Sequence, residues 1–368
     1  MTLTMSRLRR HAIARSLFPP GTLQAAVDRL GFVQADPIRS PARAQDLTLR
    51  HRVVGYRAGD LERHYRALDV DEDFFVNYGF LPRRVQVLMH PRRRLGAWPA
   101  PGKRAAEAVL AFVRAHGEVH PRQVDAHFAH GPVKNYWGGS SNATTHLLNH
   151  LHYRGLLRVS ARLGGIRLYA PREPAPPALD VPARGVRQDA LVDVAVRLYA
   201  PVPSATLSWL VNRLRLAAPQ WSADVPRVLA RAKLRLGRAR IDGVDWFWPQ
   251  EETPGASSDG DVPDDAVRLL APFDPVAWDR RRFELFWGWV YRFEAYTPLA
   301  KRTLGYYAMP LLWRDEMIGW GNLAVVEGAL QASLGFARGR PPRSRDFSRG
   351  LERELARLRT FLGAERLP

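Results

Sequence analysis

Asn142-Ala-Thr-Thr-His-Leu-Leu-Asn-His-Leu-His-Tyr-Arg-Gly-Leu-Leu-Arg-Val-Ser-Ala-Arg-Leu-Gly-Gly-Ile-Arg-Leu-Tyr169 is the stretch that decides the fold class. Over Asn142–Arg154, Leu147, Leu148 and Leu151 fall on one face, which predicts a helix, and Gly155 is suited to stop it. Leu156–Arg162 and Ile166–Tyr169 then alternate as strands do around Gly164-Gly165, a hairpin turn signal. Upstream, Ala105–His116 reads as a helix closed by Gly117, and Pro121–Phe128 as a short second helix. Three helices followed by a hairpin is the plan of a winged helix.

The order recurs about 80 residues later, as a tandem array would require. After the proline-rich linker Arg172–Pro182 come Asp189–Tyr199, Ser204–Leu214 and Val225–Leu236, all helical in pattern, and a hairpin over Ala239–Phe247 with an Asp242-Gly243 turn. N-terminal to both, Ser6–Leu17 and Leu23–Leu30 read as helices. Gly31 closes the second, and a further helix is expected from Ser40 as N-cap and Pro41 at N1 through Arg52. Beyond the acidic, Gly/Ser/Pro-rich loop Glu251–Asp264, Tyr306–Leu312 and Met317–Val326 read as strands. Leu351, Leu355, Leu358 and Leu362 mark a terminal amphipathic helix. The expected fold is mostly α with small β (α+β): tandem winged helices plus a C-terminal β-rich module and a terminal helix. Its domains are 1–100 (winged-helix-like), 101–172, 183–250 and 265–368.

Composition narrows the function. The chain has 368 residues, 46% hydrophobic and 25% charged, which excludes wholesale disorder. It has no cysteine, which excludes a disulfide framework, a thiol nucleophile and cysteine-based metal sites. No apolar run is long enough to span a bilayer. The N-terminus carries charge where a secretory signal would be apolar, so a cytoplasmic location is expected. The formal net charge is +19, with 55 Lys plus Arg against 36 Asp plus Glu. Codon bias can trade lysine for arginine, but it does not add net charge. An excess of this size favours a polyanionic partner, and nucleic acid is the commonest.

Most catalytic signatures are missing. His146 and His150 sit four apart, but the stretch His-Leu-Leu-Asn-His lacks the glutamate of a zinc protease, and no metal is expected. There is no phosphate-binding glycine loop and no Gly-x-Ser-x-Gly elbow, so no nucleotide cofactor or acyl transfer is expected. What remains is Gln34-Ala35-Asp36, followed by Pro37, which favours extended geometry at Asp36. In an extended segment Gln34 and Asp36 point the same way. An amide and a carboxylate side by side can hold one water, the carboxylate taking its proton or stabilising a developing cation. The pair is equally readable as a helix cap or turn at Asp36 with an ordinary surface Gln34, and spacing alone favours that plainer reading.

Leu30-Gly-Phe-Val-Gln-Ala-Asp-Pro-Ile38, Ala42-Arg-Ala44 and Leu47–Arg52 closely resemble the opening of the YcaQ/AlkZ-like family of bacterial winged-helix DNA glycosylases. Leu269–Pro275, Trp278–Arg282, Tyr296-Thr-Pro298, Ala300-Lys-Arg302, Gly305-Tyr-Tyr307 and Pro310 carry the resemblance into the C-terminal part. The resemblance implies that Asp36 is the main catalytic residue and Gln34 its partner on the water. It implies excision of N7-alkylated purines from double-stranded DNA, interstrand crosslinks among them. Two departures bear on substrate range: Asn77-Tyr-Gly-Phe-Leu-Pro82 replaces a His-Ala-Ser-like stretch, and Ala35 replaces a branched aliphatic residue. Candidate DNA contacts are Arg43, Lys134, Asn135, Tyr136, Arg281, Lys301, Arg302 and Tyr306. A monomer without a cofactor, in a bacterial cytoplasm and at the nucleoid when bound, is expected. The alternative from another class is a non-catalytic winged-helix regulator, which would have no reason to keep both Gln34 and Asp36.

Overall fold

The computed structural model describes residues 3–92, 100–128, 131–134, 140–172, 181–255 and 265–364. Most of the proline-rich linker, most of the acidic loop, and Asn135 and Tyr136 lie outside these. By its contacts the chain falls into two compact units. The first comprises Met1–Asp60, Asp193–Leu210 and Leu229–Pro368, the second Leu61–Val192 and Val211–Val228.

In the first unit the N-terminal helices are Met5–Ser16 and Leu23–Leu30. Thr22 caps the second through its hydroxyl, which accepts from Ala25 N at 3.2 Å. Gly31 ends it in the left-handed region at φ 71°, where a Cβ would meet Val194 Cγ1 at 2.9 Å. Glycine is needed there for both reasons. The two-residue strand Val33–Gln34 follows. The next helix is shorter than the sequence predicts: it spans Ala44–Leu49 with Arg43 at the N-cap and no side-chain cap. Two turns delay it. Ile38 N donates to the Asp36 carboxylate, and Ser40 N to Ala42 O.

The C-terminal strands form a four-stranded antiparallel sheet in the order Val267–Leu269, Met309–Trp313, Glu316–Val326, Ala329–Phe336. The outer two strands add to the predicted pair. The terminal helix, Arg345–Leu362, packs on the first strand. Its buried line runs through Phe347, Gly350, Glu354, Leu358 and Phe361; it shares Leu358 with the predicted leucine stripe and otherwise lies one position before it. Glu354 accepts from Leu269 N at 2.8 Å and from Arg50 Nη2 at 2.5 Å, which satisfies a carboxylate inside an apolar face. Ile13, Leu270, Val276, Phe283 and Leu312, each at most 2% exposed, form the centre of this unit.

The second unit holds the helices Ala100–His116, Pro121–Phe128 and Ala143–Tyr153, then the hairpin Leu157–Leu163 with Ile166–Pro171. Lys134, a candidate DNA contact, ends the strand Pro132–Lys134, paired antiparallel with Ser140–Asn142. A hairpin the sequence reading did not contain joins Val70–Phe74 to Tyr78–Pro82. Its first strand carries three consecutive buried acids, each with its own arginine. Asp71 meets Arg172 at 3.2 Å, Glu72 meets Arg162 at 2.6 Å and Asp73 meets Arg92 at 2.7 Å. The divergent Asn77–Pro82 stretch belongs here: the Tyr78 hydroxyl donates to Glu72 at 2.8 Å. His152 is in this core too, donating through Nε2 to Glu72 O at 2.9 Å, and burial pushes its pKa down to about 4.

Arg52 and Asp274, both fully buried in the first unit, form a bidentate pair at 2.7 and 3.0 Å. Arg52 also donates to Ser16 O at 2.8 Å and to Thr48 O at 2.6 Å. Asp274→Ala leaves that guanidinium uncompensated, and such a loss costs about 3–5 kcal/mol. The first unit is expected to unfold at markedly lower urea in the variant. An unchanged midpoint would refute the anchoring role.

Candidate active site

Gln34 ends the Val33–Gln34 strand and is buried. The indole N–H of Trp278 donates to its Oε1 at 3.1 Å. An indole nitrogen can only donate, so this bond fixes which end of the amide is the carbonyl. The amide nitrogen is then the donor end. Trp278 is itself held by rings, stacked on Tyr199 (4.1 Å between centroids, 21°) and edge-on to Trp209 (5.3 Å, 63°).

Asp36 is half-buried, and one carboxylate oxygen accepts from Ile38 N at 2.9 Å. Burial raises its pKa, partly opposed by the Ile38 N–H. Its charge reaches two tyrosines: together with burial it pushes the phenols of Tyr296 and Tyr307 upward. Tyr296 is 77% exposed and Tyr307 is 1% exposed. Trp209, edge-on to Trp278, is 45% exposed.

The other candidates sort by place. Arg43 stands at the N-cap of Ala44–Leu49, on the loop that carries Asp36. Arg281 is exposed in the first turn of the Arg280–Trp287 helix, three residues beyond Trp278. Lys301 is exposed in the turn Leu299–Lys301. Arg302 Nε donates to Thr297 O at 2.7 Å, and its guanidinium lies 5.0 Å from the centre of the half-exposed Tyr306 ring. All of these belong to the first unit, with Gln34 and Asp36. Lys134 belongs to the second. Among the described residues no group of three or more His, Asp or Glu is placed to hold a metal.

Sequence reasoning missed Trp278, Trp209, Tyr296 and Tyr307 as members of this site. Three of them stand in the quoted C-terminal motifs. The missing signal was the pairing across 244 residues, which no local pattern records. It also missed a cleft of about 540 Å³ lined by Arg50, Arg57, Arg268 and Arg357, a further basic surface of the first unit.

Over its whole length the chain has the fold of a known DNA glycosylase. It is similar to Streptomyces sahachiroi DNA glycosylase AlkZ with a TM-score of 0.65 and 14% identity, covering 100% of this chain and 99% of that one. The family model for AlkZ-like DNA glycosylases matches residues 27–361, and the chain belongs to that family. It is a DNA glycosylase acting in DNA repair. That places it among enzymes rather than regulators. No helix among the described residues is long and apolar enough to cross a membrane.

A raised carboxyl pKa means that ionised Asp36 is less favourable in the folded chain than in the unfolded one. The cost is present at neutral pH and disappears as pH falls through the raised pKa and then the ordinary value of about 3.9. Asp36→Asn is therefore expected to melt at or above the wild-type temperature at pH 7, with the difference closing in acid. A clearly lower melting temperature at pH 7 would contradict this burial account.

Proposed function

We propose that the chain hydrolyses the N-glycosidic bond of N7-alkylated purines in duplex DNA, crosslinked ones included, with Asp36 and Gln34 positioning the water. The observation that carries this is the asymmetric pair: a carboxylate half-withdrawn from water beside an amide whose carbonyl is already taken by Trp278. Gln34 can donate to the water oxygen, and Asp36 accepts the water's proton. The water oxygen bonds to C1′ while the C1′–N9 bond breaks, and the bonding pair leaves with the purine. N7 alkylation gives that purine a positive charge, so it departs neutral without a general acid. The ionised carboxylate stabilises the oxocarbenium-like sugar, as in glycoside hydrolysis reduced to one carboxylate.

Element order supports the tandem winged-helix reading. After the helix Val181–Tyr199 comes the short strand Val202–Pro203, then the helices Ser204–Ala217 and Val225–Arg235, then the hairpin Gly237–Ile241 with Val244–Trp248. The short strand pairs with the last one. In the second unit Val119 pairs with Tyr169 in the same relation. On this reading the modules are 1–100, 101–172, 183–250 and 265–368. The protein acts as a monomer without a nucleotide cofactor, in the bacterial cytoplasm. A half-exposed Asp36 suits a base that a crosslink prevents from flipping fully.

The test is release of free base from duplex DNA containing 7-methylguanine. Asp36→Asn is expected to lower the rate about 10²–10³-fold with DNA affinity held within a few-fold. Wild-type rates in that variant would move the chemistry elsewhere. The expected product is an intact abasic site, cut only after alkali, with no covalent adduct trapped by borohydride.

Phosphate contacts from residues such as Arg43, Arg281, Lys301 and Arg302 set the salt dependence. If several act together, affinity should fall by a factor on the order of 10³ between about 50 and 200 mM salt. A flat dependence would count against this binding mode.

A further inference from the structure

A second cleft of the first unit, about 780 Å³ in volume, is lined by the turn after Met309–Trp313 and by the connection to the terminal helix. That volume is within the range of sites that hold a ligand, roughly 300–1,000 Å³. The cleft shares no residue with the Gln34 and Asp36 site. Part of its lining is aromatic: Trp287, Trp289 and Trp313, all half-buried. Trp287 is the last residue of the Arg280–Trp287 helix, and its indole N–H donates to Asp315 O at 2.9 Å. The Trp289 N–H donates to Met317 O at 2.9 Å. Each of these indoles has a single donor, and it is already engaged with backbone. What they offer the cleft is ring surface.

The rest of the lining is cationic. Arg338, Arg340 and Arg343 are exposed along the connection from Ala329–Phe336 to the terminal helix. None of the three has a hydrogen-bond or ion-pair partner among the described residues. The connection that carries them is fastened at both ends. Ala337 N donates to Ile318 O and Gly339 N to Phe336 O, both at 2.9 Å, and Ser344 caps the helix that follows. Pro341 and Pro342 stiffen the middle by fixing φ. The acids in the lining are already neutralised. Arg9 holds Asp315 at 2.9 Å and Glu316 at 2.6 Å, and Arg10 meets Asp315 at 3.3 Å. Arg314 is engaged in turn with Asp265 at 2.7 Å. Three uncommitted guanidinium groups and three indoles therefore line one cleft.

We propose that this cleft binds an unpaired stretch of DNA, its bases stacking on the indoles and its phosphates held by Arg338, Arg340 and Arg343. Stacking on tryptophan needs an open base face, which single-stranded DNA offers and a duplex keeps inside its own stack. Guanidinium forks match phosphate oxygens. An acidic peptide would satisfy the arginines and leave the tryptophans unused, so single-stranded nucleic acid suits the whole lining better. With the Trp287 and Trp289 N–H groups engaged, those two rings recognise any base by its face rather than its edge. Such binding does not depend on the role read for Asp36.

The test measures binding of a fluorescent oligo-dT of about 12 nucleotides, within the span that single-strand sites cover. A duplex of the same length and an oligomer with the same phosphates but abasic sugars are compared with it. The variant combines Arg338→Ala, Arg340→Ala and Arg343→Ala, all exposed, and its fold is checked by circular dichroism. Its affinity for oligo-dT is expected to fall on the order of 10²-fold at about 0.1 M salt. The log–log salt slope should flatten by about 2, at roughly 0.7 per single-strand phosphate contact. Duplex affinity should stay within a few-fold. The wild type should bind the abasic oligomer about tenfold or more weakly than oligo-dT, because stacking is lost. Irradiation of an oligo-dT carrying 5-iodouracil, followed by mass spectrometry, should place crosslinks at Trp287, Trp289 or Trp313. An unchanged salt slope in the variant, equal binding of the abasic oligomer, or crosslinks confined to other tryptophans would each overturn the proposal. An equal loss of duplex affinity would overturn it too, because the arginines would then belong to a general phosphate surface.

Discussion

Arg52 and Asp274 are 222 residues apart and both wholly buried, and their pairing fixes where the rest of the first unit can go. A buried ion pair of this kind is not chiefly a source of stability, because desolvation takes back most of the attraction. What it sets is register. Arg52 is tied to Ser16 and Thr48, in the segment that carries Gln34 and Asp36. Asp274 shapes the turn that follows it. Val276 N donates to its carboxylate at 3.0 Å, and Trp278 N donates to its carbonyl at 2.8 Å. That turn aims the Trp278 indole at Gln34. One salt bridge thereby sets an amide at the site through four residues of tight backbone.

The same logic governs the arginine content. A chain this basic must either solvate its guanidinium groups or give each buried one a dedicated acceptor. Arg92, Arg162 and Arg172 each take one of the acids at 71–73, while Arg282, fully buried, donates through its two terminal nitrogens to the carbonyls of Tyr199, Pro275 and Val276. Arginine suits both arrangements because its planar fork offers five donors in fixed directions. A substantial part of the positive charge is therefore structural. Under the proposed reading, exposed cations such as Arg281 and Lys301 are the part that faces DNA.

These uses explain what the sequence could and could not disclose. Helices with apolar faces and clear stops, such as Leu23–Leu30 before Gly31 or Ala143–Tyr153, follow from local pattern alone. So does the Asp242-Gly243 hairpin, whose two turn residues both take positive φ. The strand Val70–Phe74 was illegible because three successive acids oppose strand propensity, and only partners distant in sequence make them tolerable. The helix after the Asp36 loop was misplaced because Asp36 uses its carboxylate on Ile38 N, a local competition that propensity does not weigh. Gln34 and Asp36 were legible as a pair. Trp278 and Tyr307 were visible as letters in a motif, but their meaning lies in contacts that only the folded chain supplies.

The electrostatics of Asp36 bear on selectivity under the proposed reading. Burial disfavours its ionised form, and no counter-charge is paired with the carboxylate among the described residues. A cationic N7-alkylpurine brings one, and the developing oxocarbenium strengthens it further along the reaction coordinate. An undamaged purine brings neither. The energy withheld from the free carboxylate is recovered most fully in the transition state of a charged lesion, which is where interactions accelerate chemistry. Discrimination would then need no tight, shape-reading pocket. A half-exposed site can admit bases of varied bulk, while the half-desolvated carboxylate selects for charge.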